Sequence, residues 1–260
     1  MNVTAQVNYH VQSDAQQAFQ FDVGGKSGVL ISPELEATEI CVRDIRNQQS
    51  ALNFNRDGIA FINSDTQVQS FEHNNEWQTQ YEAELQNLLA KEIGAKEVIV
   101  FDHTVRVDDP NAERRPARNV HNDYSRGGAE QRLIDLLGDE RAAEFKAGHF
   151  GFVNVWRPVE RTIKSSPLGF IHPESVKPED WMTIDLIYPD RLGQILGLAK
   201  SSRHKWFYMS DMQTDEVAIF NIFDNSGRPQ LAHSALDLAT DKFAQTPRKS
   251  IESRTLVRYR

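Results

Sequence analysis

The sequence predicts a mainly β protein, with an antiparallel β core that carries helices on its outside. Strand-like apolar runs occur at both ends of the 260-residue chain, and two amphipathic helical segments lie between them. A composition of 39% hydrophobic and 25% charged residues is typical of folded soluble proteins. We therefore expect one large domain over residues 1–260.

The first part of the chain, to about Asn63, predicts short extended segments. Apolar runs occupy Gly28–Ile31, Ile40–Val42 and Ile59–Ile62, and the last of these follows the turn residues at 57–58. This end of the protein should therefore be rich in β-structure.

The middle of the chain changes to a helical period. Between Asn75 and Ile93, apolar residues recur at steps of three and four, which predicts an amphipathic helix that Gly94 ends. The compact run Val98–Phe101 predicts a buried strand, and an exposed loop follows it over residues 108–116. A second helix is predicted for Ala129–Phe145.

The rest of the chain predicts mostly strands. Phe150–Trp156 should be a strand that stops at the Arg157-Pro158 pair, and Asp190–Leu198 should form a short helix. Further strands are predicted over the ranges 205–209, 216–223 and 249–259.

Charge and cysteine content exclude several classes of protein. A net charge of −8 lacks the basic surface that a nucleic acid requires. No apolar run approaches the ~18 residues that span a bilayer, and Met1–Gln6 has no leader pattern, so we expect no membrane partner. Cys41 is the single cysteine, which indicates a reducing compartment and a cytoplasmic location. No long heptad is evident, so the oligomeric state stays open.

The triplet His121-Asn122-Asp123 follows the predicted exposed loop. On a strand, residues two apart point to the same face, so the imidazole and the carboxylate would converge on one point. One further histidine would complete two histidines and one carboxylate, the facial triad that holds non-haem Fe(II). The alternative is a surface histidine and aspartate beside a turn.

The third ligand has seven candidates, and position in the chain favours one of them. His233 follows a predicted strand and turn and precedes the polar segment Arg248–Arg254. The candidates are His10, His73, His103, His149, His172, His204 and His233.

Alternate residues of that polar segment should share one face, next to the metal. On a strand, these would be Arg248, Ser250, Glu252 and Arg254. An arginine fork with a hydroxyl two residues away suits a carboxylate, so it could hold a keto-acid co-substrate. The alternative is a row of polar side chains that faces solvent.

Four residues are candidates for the wall of a substrate pocket: Tyr124, Asn154, Trp156 and Arg157. Asn154 and Trp156 should share a strand face while Arg157 points the other way, so at most one of the two polar groups should reach the site. Tyr124 should point away from Asp123. For Trp156, core packing is favoured over a pocket role, and for Asn154 and Arg157 a structural hydrogen bond is the alternative.

Taken together, these segments resemble the CmcJ/NvfI/AsaB-like hydroxylase/desaturase family, the non-haem Fe(II)/2-oxoglutarate-dependent oxygenases of secondary metabolism. The resemblance spans nearly the full chain. It is carried by Asp44-Ile45-Arg46, Val100–His103 with Arg106, His121–Ser125, Asn154–Pro158, Pro167-Leu168, His204–Tyr208 with Met212, Asp215-Glu216, Asp224, His233 and Arg248–Arg254.

The resemblance implies a double-stranded β-helix, or jelly-roll, that uses Fe(II), 2-oxoglutarate and O2. It implies that His121, Asp123 and His233 bind the metal and that Arg248 and Ser250 hold 2-oxoglutarate. Arg254 is assigned to the same cofactor site as support for Arg248, and the alternative is an ion pair with Glu252 on the surface. The expected reaction is hydrogen abstraction from a small-molecule natural product, followed by hydroxylation, desaturation or cyclisation. Two alternatives stay open: a catalytically silent jelly-roll partner of another enzyme, and a jelly-roll hydrolase or isomerase that uses a different metal.

Overall fold

The structure is a computed structural model that describes residues 2–21, 29–48, 51–71, 75–189, 192–241 and 246–260. The helices are α1 (Phe54–Asp57), α2 (Gln78–Glu92) and α3 (Arg126–Lys146). The strands are β1 (Asn2–His10), β2 (Gln17–Phe21), β3 (Val29–Ile31), β4 (Leu35–Asp44), β5 (Ile59–Asn63), β6 (Glu97–Val107), β7 (His121–Asn122), β8 (Phe150–Pro158), β9 (Leu168–Ile171), β10 (Trp181–Ile187), β11 (Leu192–Leu198), β12 (Trp206–Tyr208), β13 (Glu216–Asp224), β14 (His233–Ala235), β15 (Asp237–Leu238) and β16 (Lys249–Arg258).

These strands form a large sheet and a small sheet. The large sheet has the order β15-β1-β4-β12-β9-β14-β7-β11-β10-β2-β3, and the small sheet has the order β5-β13-β8-β16-β6. Pairing is antiparallel except between β4 and β12 and between β2 and β10. The sequence prediction of a mainly antiparallel β core is therefore confirmed.

The main core contains side chains from both sheets. Phe170 of β9 lies 5.1 Å from Phe220 of β13 and 5.8 Å from Phe207 of β12, measured between ring centroids. Trp156 of β8 and Leu256 of β16 belong to the same buried cluster. Because β8 and β13 are buried along their whole length, apolar residues occupy both faces of each strand and polar residues are few.

The two long helices lie where the sequence predicts them. Helix α2 packs Tyr81, Leu85 and Leu89 against the other face of the small sheet. Helix α3 begins after Ser125, whose hydroxyl accepts a hydrogen bond from the backbone of the first turn. Gly138 interrupts α3 with a φ of 74°, a left-handed conformation that glycine adopts without strain.

The short helix predicted for Asp190–Leu198 is wrong. Residues 190–191 lie outside the described residues, and residues 192–198 form β11, which pairs with β10 and β7. Leucine and isoleucine at 192, 195, 196 and 198 imitate a helical period, but Gly193 and Gly197 weaken a helix.

Gly197 has a packing reason to be glycine. It pairs with His121 across the strands, and a Cβ at Gly197 would lie 2.7 Å from the imidazole ring of His10 on β1. The missing side chain lets β1 lie close to β11, which pairs with the strand that carries His121. In the described ranges, no helix is long and apolar enough to cross a bilayer.

Candidate active site

The structure brings the three predicted metal ligands together. His121 on β7 and His233 on β14 are direct cross-strand partners, and their ring centroids lie 4.5 Å apart. Asp123 follows β7, and its Oδ1 lies 3.4 Å from His121 Nε2 and 3.6 Å from His233 Nε2. One ligand atom from each side chain lies within 4.8 Å of the other two.

Backbone carbonyls fix the orientation of both imidazoles. His121 Nδ1 lies 2.8 Å from the carbonyl oxygen of Asn119, and His233 Nδ1 lies 3.1 Å from that of Leu231. Because a carbonyl only accepts, each Nδ1 must donate, and each Nε2 keeps its lone pair toward Asp123. Metal-binding histidines are commonly held in this way.

The carboxylate of Asp123 has two oxygens with different partners. Its Oδ2 accepts hydrogen bonds from Asn154 Nδ2 at 2.9 Å and from Arg254 Nε at 3.0 Å, while its Oδ1 faces the two imidazoles. Burial alone would raise the pKa of Asp123, but the Arg254 guanidinium and the imidazoles hold it well below its usual range. Asp123 is therefore ionised at neutral pH.

His233 is neutral at the same pH. Its side chain is buried, and this burial together with nearby His121 lowers the pKa of His233 to about 4. Two imidazoles and one carboxylate, all held by other groups, are the donor set that Fe(II) takes in non-haem oxygenases. The residues present therefore fit Fe(II).

Arg248 borders the same small cavity as the two imidazoles, and Ser250 lies beside Arg248. Arg248 Nε donates to Ser250 Oγ at 3.0 Å, and one terminal nitrogen donates to the carbonyl of Ser166 at 2.6 Å. Arg248 is 3% exposed, has no ion-pair partner within the described part of the chain, and lies over the Trp156 ring. Burial, with Arg106 nearby, lowers the pKa of Arg248 to about 9. An anion that entered this cavity would restore the charge balance.

Arg254 contacts three carboxylates. Its Nε donates to Asp123, and its terminal nitrogens lie 2.6 Å from carboxylate oxygens of Asp102 and Glu252. The contact with Asp123 orients this metal ligand. Arg254 also lines the small cavity, and its predicted contact with 2-oxoglutarate stays a prediction.

The four candidates for the pocket wall separate in the structure. Asn154 reaches Asp123, and Trp156 lies under Arg248 with 1% of its surface exposed. Tyr124 packs 4.9 Å from Phe152 in the core. Arg157 lies on the opposite face of the small sheet, with its guanidinium over the Tyr81 ring of α2, so the structure does not bring Arg157 to the site.

Sequence reasoning did not assign a site role to Arg106. Arg106 lies opposite Ser250 where β6 pairs with β16, and its side chain borders the cavity. It faces Glu252 and donates to the carbonyl of Arg115 at 2.7 Å. Alternation along β6 places Asp102, Thr104 and Arg106 on one face, but only the pairing of β6 with β16 turns that face toward the metal site.

The cavity, of about 20 Å³, is lined by Arg106, Ala117, His121, Leu168, His233, Ala235, Arg248, Glu252 and Arg254.

The other candidate histidines have other partners. His73 lies outside the described residues. Within the described ranges, the triad is the one group of three side chains placed to hold a metal. The remaining partners are Asn119 for His10, Ser253 for His103, Asp224 for His149, Glu174 for His172, and Tyr9 with Asp180 for His204.

Fold and site together define a jelly-roll oxidoreductase, and comparison with known proteins supports this class. Residues 7–258 match the family model described as "Oxidoreductase/YMDC permease-like domain", so the chain belongs to that family. The prediction of the family from the sequence is thereby confirmed.

Relatives and solved structures extend the match over most of the chain. The hydroxylase/desaturase efuI of Hormonema carpetanum is 29% identical over 248 residues, which is 84% of this chain and 82% of the relative. The alpha-ketoglutarate-dependent dioxygenase phiK of a fungal species is 28% identical over 238 residues, 86% of this chain and 84% of the relative.

The iron and alpha-ketoglutarate-dependent endoperoxidase NvfI has a solved structure that superposes with a TM-score of 0.87 at 22% identity, over 99% of this chain and 98% of that one. The likeness concerns the fold, and it confirms the predicted jelly-roll.

Proposed function

We propose that this chain is an Fe(II)/2-oxoglutarate-dependent oxygenase that acts on a small-molecule natural product, in one domain over residues 1–260. One observation carries the proposal: ligand atoms of His121, Asp123 and His233 lie within 4.8 Å of one another, and both imidazoles line one small cavity together with Arg248. The names of the relatives efuI and phiK support the same class. Hydroxylation, desaturation and cyclisation all fall within the proposal, because they share an initial hydrogen abstraction.

Each polar group of the site has a separate task. His121, Asp123 and His233 would hold the iron, and Asn154 together with Arg254 keeps Asp123 Oδ1 turned toward it. When bound, Fe(II) with 2-oxoglutarate and O2 supplies the oxidising power that removes hydrogen from the substrate.

Arg248 and Ser250 would hold the distal carboxylate of 2-oxoglutarate through charge-assisted hydrogen bonds. The cavity must widen for this, because about 20 Å³ has room for roughly one water molecule. The buried rings of Phe170 and Phe220, 6.3 and 5.1 Å from the His233 ring, keep water from that side of the site.

The proposed cellular location rests on the single cysteine, and the proposed absence of a nucleic-acid partner rests on the net charge. Cys41 is unpaired and exposed, which agrees with the reducing cytoplasm. The net charge of −8 disfavours nucleic acid as a partner.

Anaerobic titration with Fe(II) and 2-oxoglutarate tests the proposal directly. The wild-type chain should bind both and develop a weak visible charge-transfer band, and in air it should form succinate from 2-oxoglutarate in an iron-dependent way. Asp123→Ala should lose the band and the succinate, whereas Asp65→Ala, at an exposed aspartate, should keep both.

Two outcomes would overturn the proposal. Full iron-dependent succinate formation by Asp123→Ala would show that the triad is not the metal site. A wild-type chain that binds neither iron nor 2-oxoglutarate would point instead to a silent jelly-roll partner protein.

A further inference from the structure

A second and much larger cavity lies away from the triad. Binding of a ligand there would be additional to the function proposed above. It has a volume of about 490 Å³, within the range of roughly 300–1,000 Å³ that small-molecule pockets occupy. We name it the basic cavity. It is lined by Asn2, Cys41, Arg43, Ile45, Gln48, Ala51, Leu52, Arg56, His172, His204, Lys205, Trp206 and Phe207, none of which lines the cavity at the triad.

Parallel pairing of β4 with β12 builds one wall of the basic cavity. Phe207 is the cross-strand partner of Arg43, so their side chains lie on the same face of the sheet. Lys205 immediately precedes β12 and lines the same cavity as Cys41 and Arg43. Two cations, Arg43 and Lys205, therefore border the cavity on this side.

The charge of this wall is positive and unbalanced. The lining contains no aspartate or glutamate. Arg43 donates to the neutral side-chain oxygen of Gln48, and among the described residues neither Arg43 nor Lys205 has a carboxylate within ion-pair distance. Arg56 differs, because Asp57 binds its guanidinium. Two neighbouring cations without a counter-charge, in a chain of net charge −8, favour an anionic ligand.

The floor of the basic cavity is apolar. Ile45 and Phe207 are buried members of the main core, and Leu52 packs against that core. A ligand that contacts this floor gains from burial of apolar surface, while its acidic group can pair with the cations at the wall. The cavity therefore combines the two features that an amphipathic anion requires.

We propose that the basic cavity binds an apolar organic acid. The acidic group lies between Arg43 and Lys205, and the ring or alkyl body lies against Ile45, Leu52 and Phe207. Phe207 stacks on Phe170 at 5.8 Å, and Phe170 lies 6.3 Å from the His233 ring. Buried aromatic rings thus separate this site from the triad.

Binding to the metal-free protein tests the proposal independently of any oxygenase activity. The probe is anilinonaphthalene sulfonate, a fluorescent aromatic anion, titrated after treatment with a chelator. The double variant Arg43→Gln with Lys205→Gln should weaken its binding about tenfold or more, since a hydrogen bond to a charged group contributes about 1.5–3 kcal/mol. The matched control is Lys164→Gln with Lys200→Gln, which removes two exposed cations that already have partners in Asp211 and Glu36; it should bind like the wild type.

The single thiol reports whether the probe lies in this cavity. Because Cys41 is exposed and lines it, decanoate should slow its alkylation by N-ethylmaleimide, and uncharged decanol should not. Circular dichroism checks that both double variants are folded. Unchanged probe binding by the Arg43/Lys205 variant, or equal protection by decanol and decanoate, would overturn the proposal.

Discussion

Just before β16, Arg248 makes its hydrogen bonds to neutral groups, whereas Arg254, further along the same face, makes its contacts with carboxylates. Arg248 contacts the hydroxyl of Ser250 and the carbonyl of Ser166. Arg254 contacts Asp123, Asp102 and Glu252. The two side chains have the same chemistry and the same orientation on the strand, so only their partners distinguish them.

This difference in partners gives Arg248 and Arg254 different roles. A cation whose partners are all anions is neutralised in place, so it can orient a metal ligand but cannot attract a second anion. A buried cation with only neutral partners carries a desolvation cost that an incoming carboxylate offsets. The predictions below test that division.

The largest effect is expected from Arg254→Met. The substitution leaves Asp123, Asp102 and Glu252 without their cation, and loss of one partner of a buried charge pair costs about 3–5 kcal/mol. Urea unfolding of the metal-free protein measures this loss. The double variant Glu252→Gln with Arg254→Met should recover part of it, because one of the unpaired carboxylates is gone. A free energy of unfolding within about 1 kcal/mol of the wild type would contradict the assignment.

Arg248→Met should act on the co-substrate alone. Affinity for 2-oxoglutarate should fall by about two orders of magnitude, since truncation of a buried charge pair costs about 2–5 kcal/mol. The free energy of unfolding should be unchanged or higher, because the variant removes a buried charge without an ion partner. Calorimetric titration of the zinc-loaded protein with 2-oxoglutarate measures the first effect and urea unfolding the second. If Arg248→Met lowered stability more than Arg254→Met, the comparison would be reversed.

The pH dependence of metal binding sharpens the role of Arg254. The pKa of Asp123 is lowered by the Arg254 guanidinium, so the carboxylate of the wild type stays ionised as the pH falls below the usual range of aspartate. Arg254→Met raises this pKa, so Asp123 takes up a proton, and loses iron, at a higher pH. We expect the midpoint for iron binding to move up by about one unit, equivalent to about 1.4 kcal/mol. The measurement is anaerobic iron binding from pH 7 to pH 4. A midpoint that is unchanged in Arg254→Met would show that another group lowers the pKa of Asp123.

The smallest effect is expected from Ser250→Ala. Its hydroxyl supports Arg248 and would add one hydrogen bond to the co-substrate, a contribution of about 1 kcal/mol or roughly fivefold in affinity. Ser226→Ala, in an exposed turn, is the control and should leave 2-oxoglutarate affinity unchanged. A loss as large as that of Arg248→Met would mean that Ser250 determines the fold of this end of the strand.

Period-two alternation was sufficient to predict which strand residues share a face. It placed His121 with Asp123, placed Asn154 away from Arg157, and aligned Arg248, Ser250, Glu252 and Arg254. The long helix α2 was equally predictable from the sequence, because its apolar side chains repeat at helical spacing over several turns.

Other features depend on contacts that are distant in sequence. The surroundings of Arg254 depend on the pairing of β6 with β16, which brings Asp102 opposite Arg254. Strand β1 has no long apolar run and was not predicted, although Val3, Ala5, Val7 and Tyr9 alternate with polar residues as in a half-buried strand. The error at β11 has the opposite cause: its apolar residues satisfy the helical spacing although two glycines and the partner strands favour extension.

The position of β16 between β8 and β6 has a consequence for synthesis of the chain. Both neighbours leave the ribosome well before β16, so the last of the three must insert between two strands that are already made. Until that insertion, Asp123 lacks Arg254 and the nascent polypeptide has no assembled iron site. Such long-range pairing is slow to form. Maturation of the enzyme would therefore be timed by the closing of its smaller sheet, and iron would bind only after β16 has paired with both neighbours.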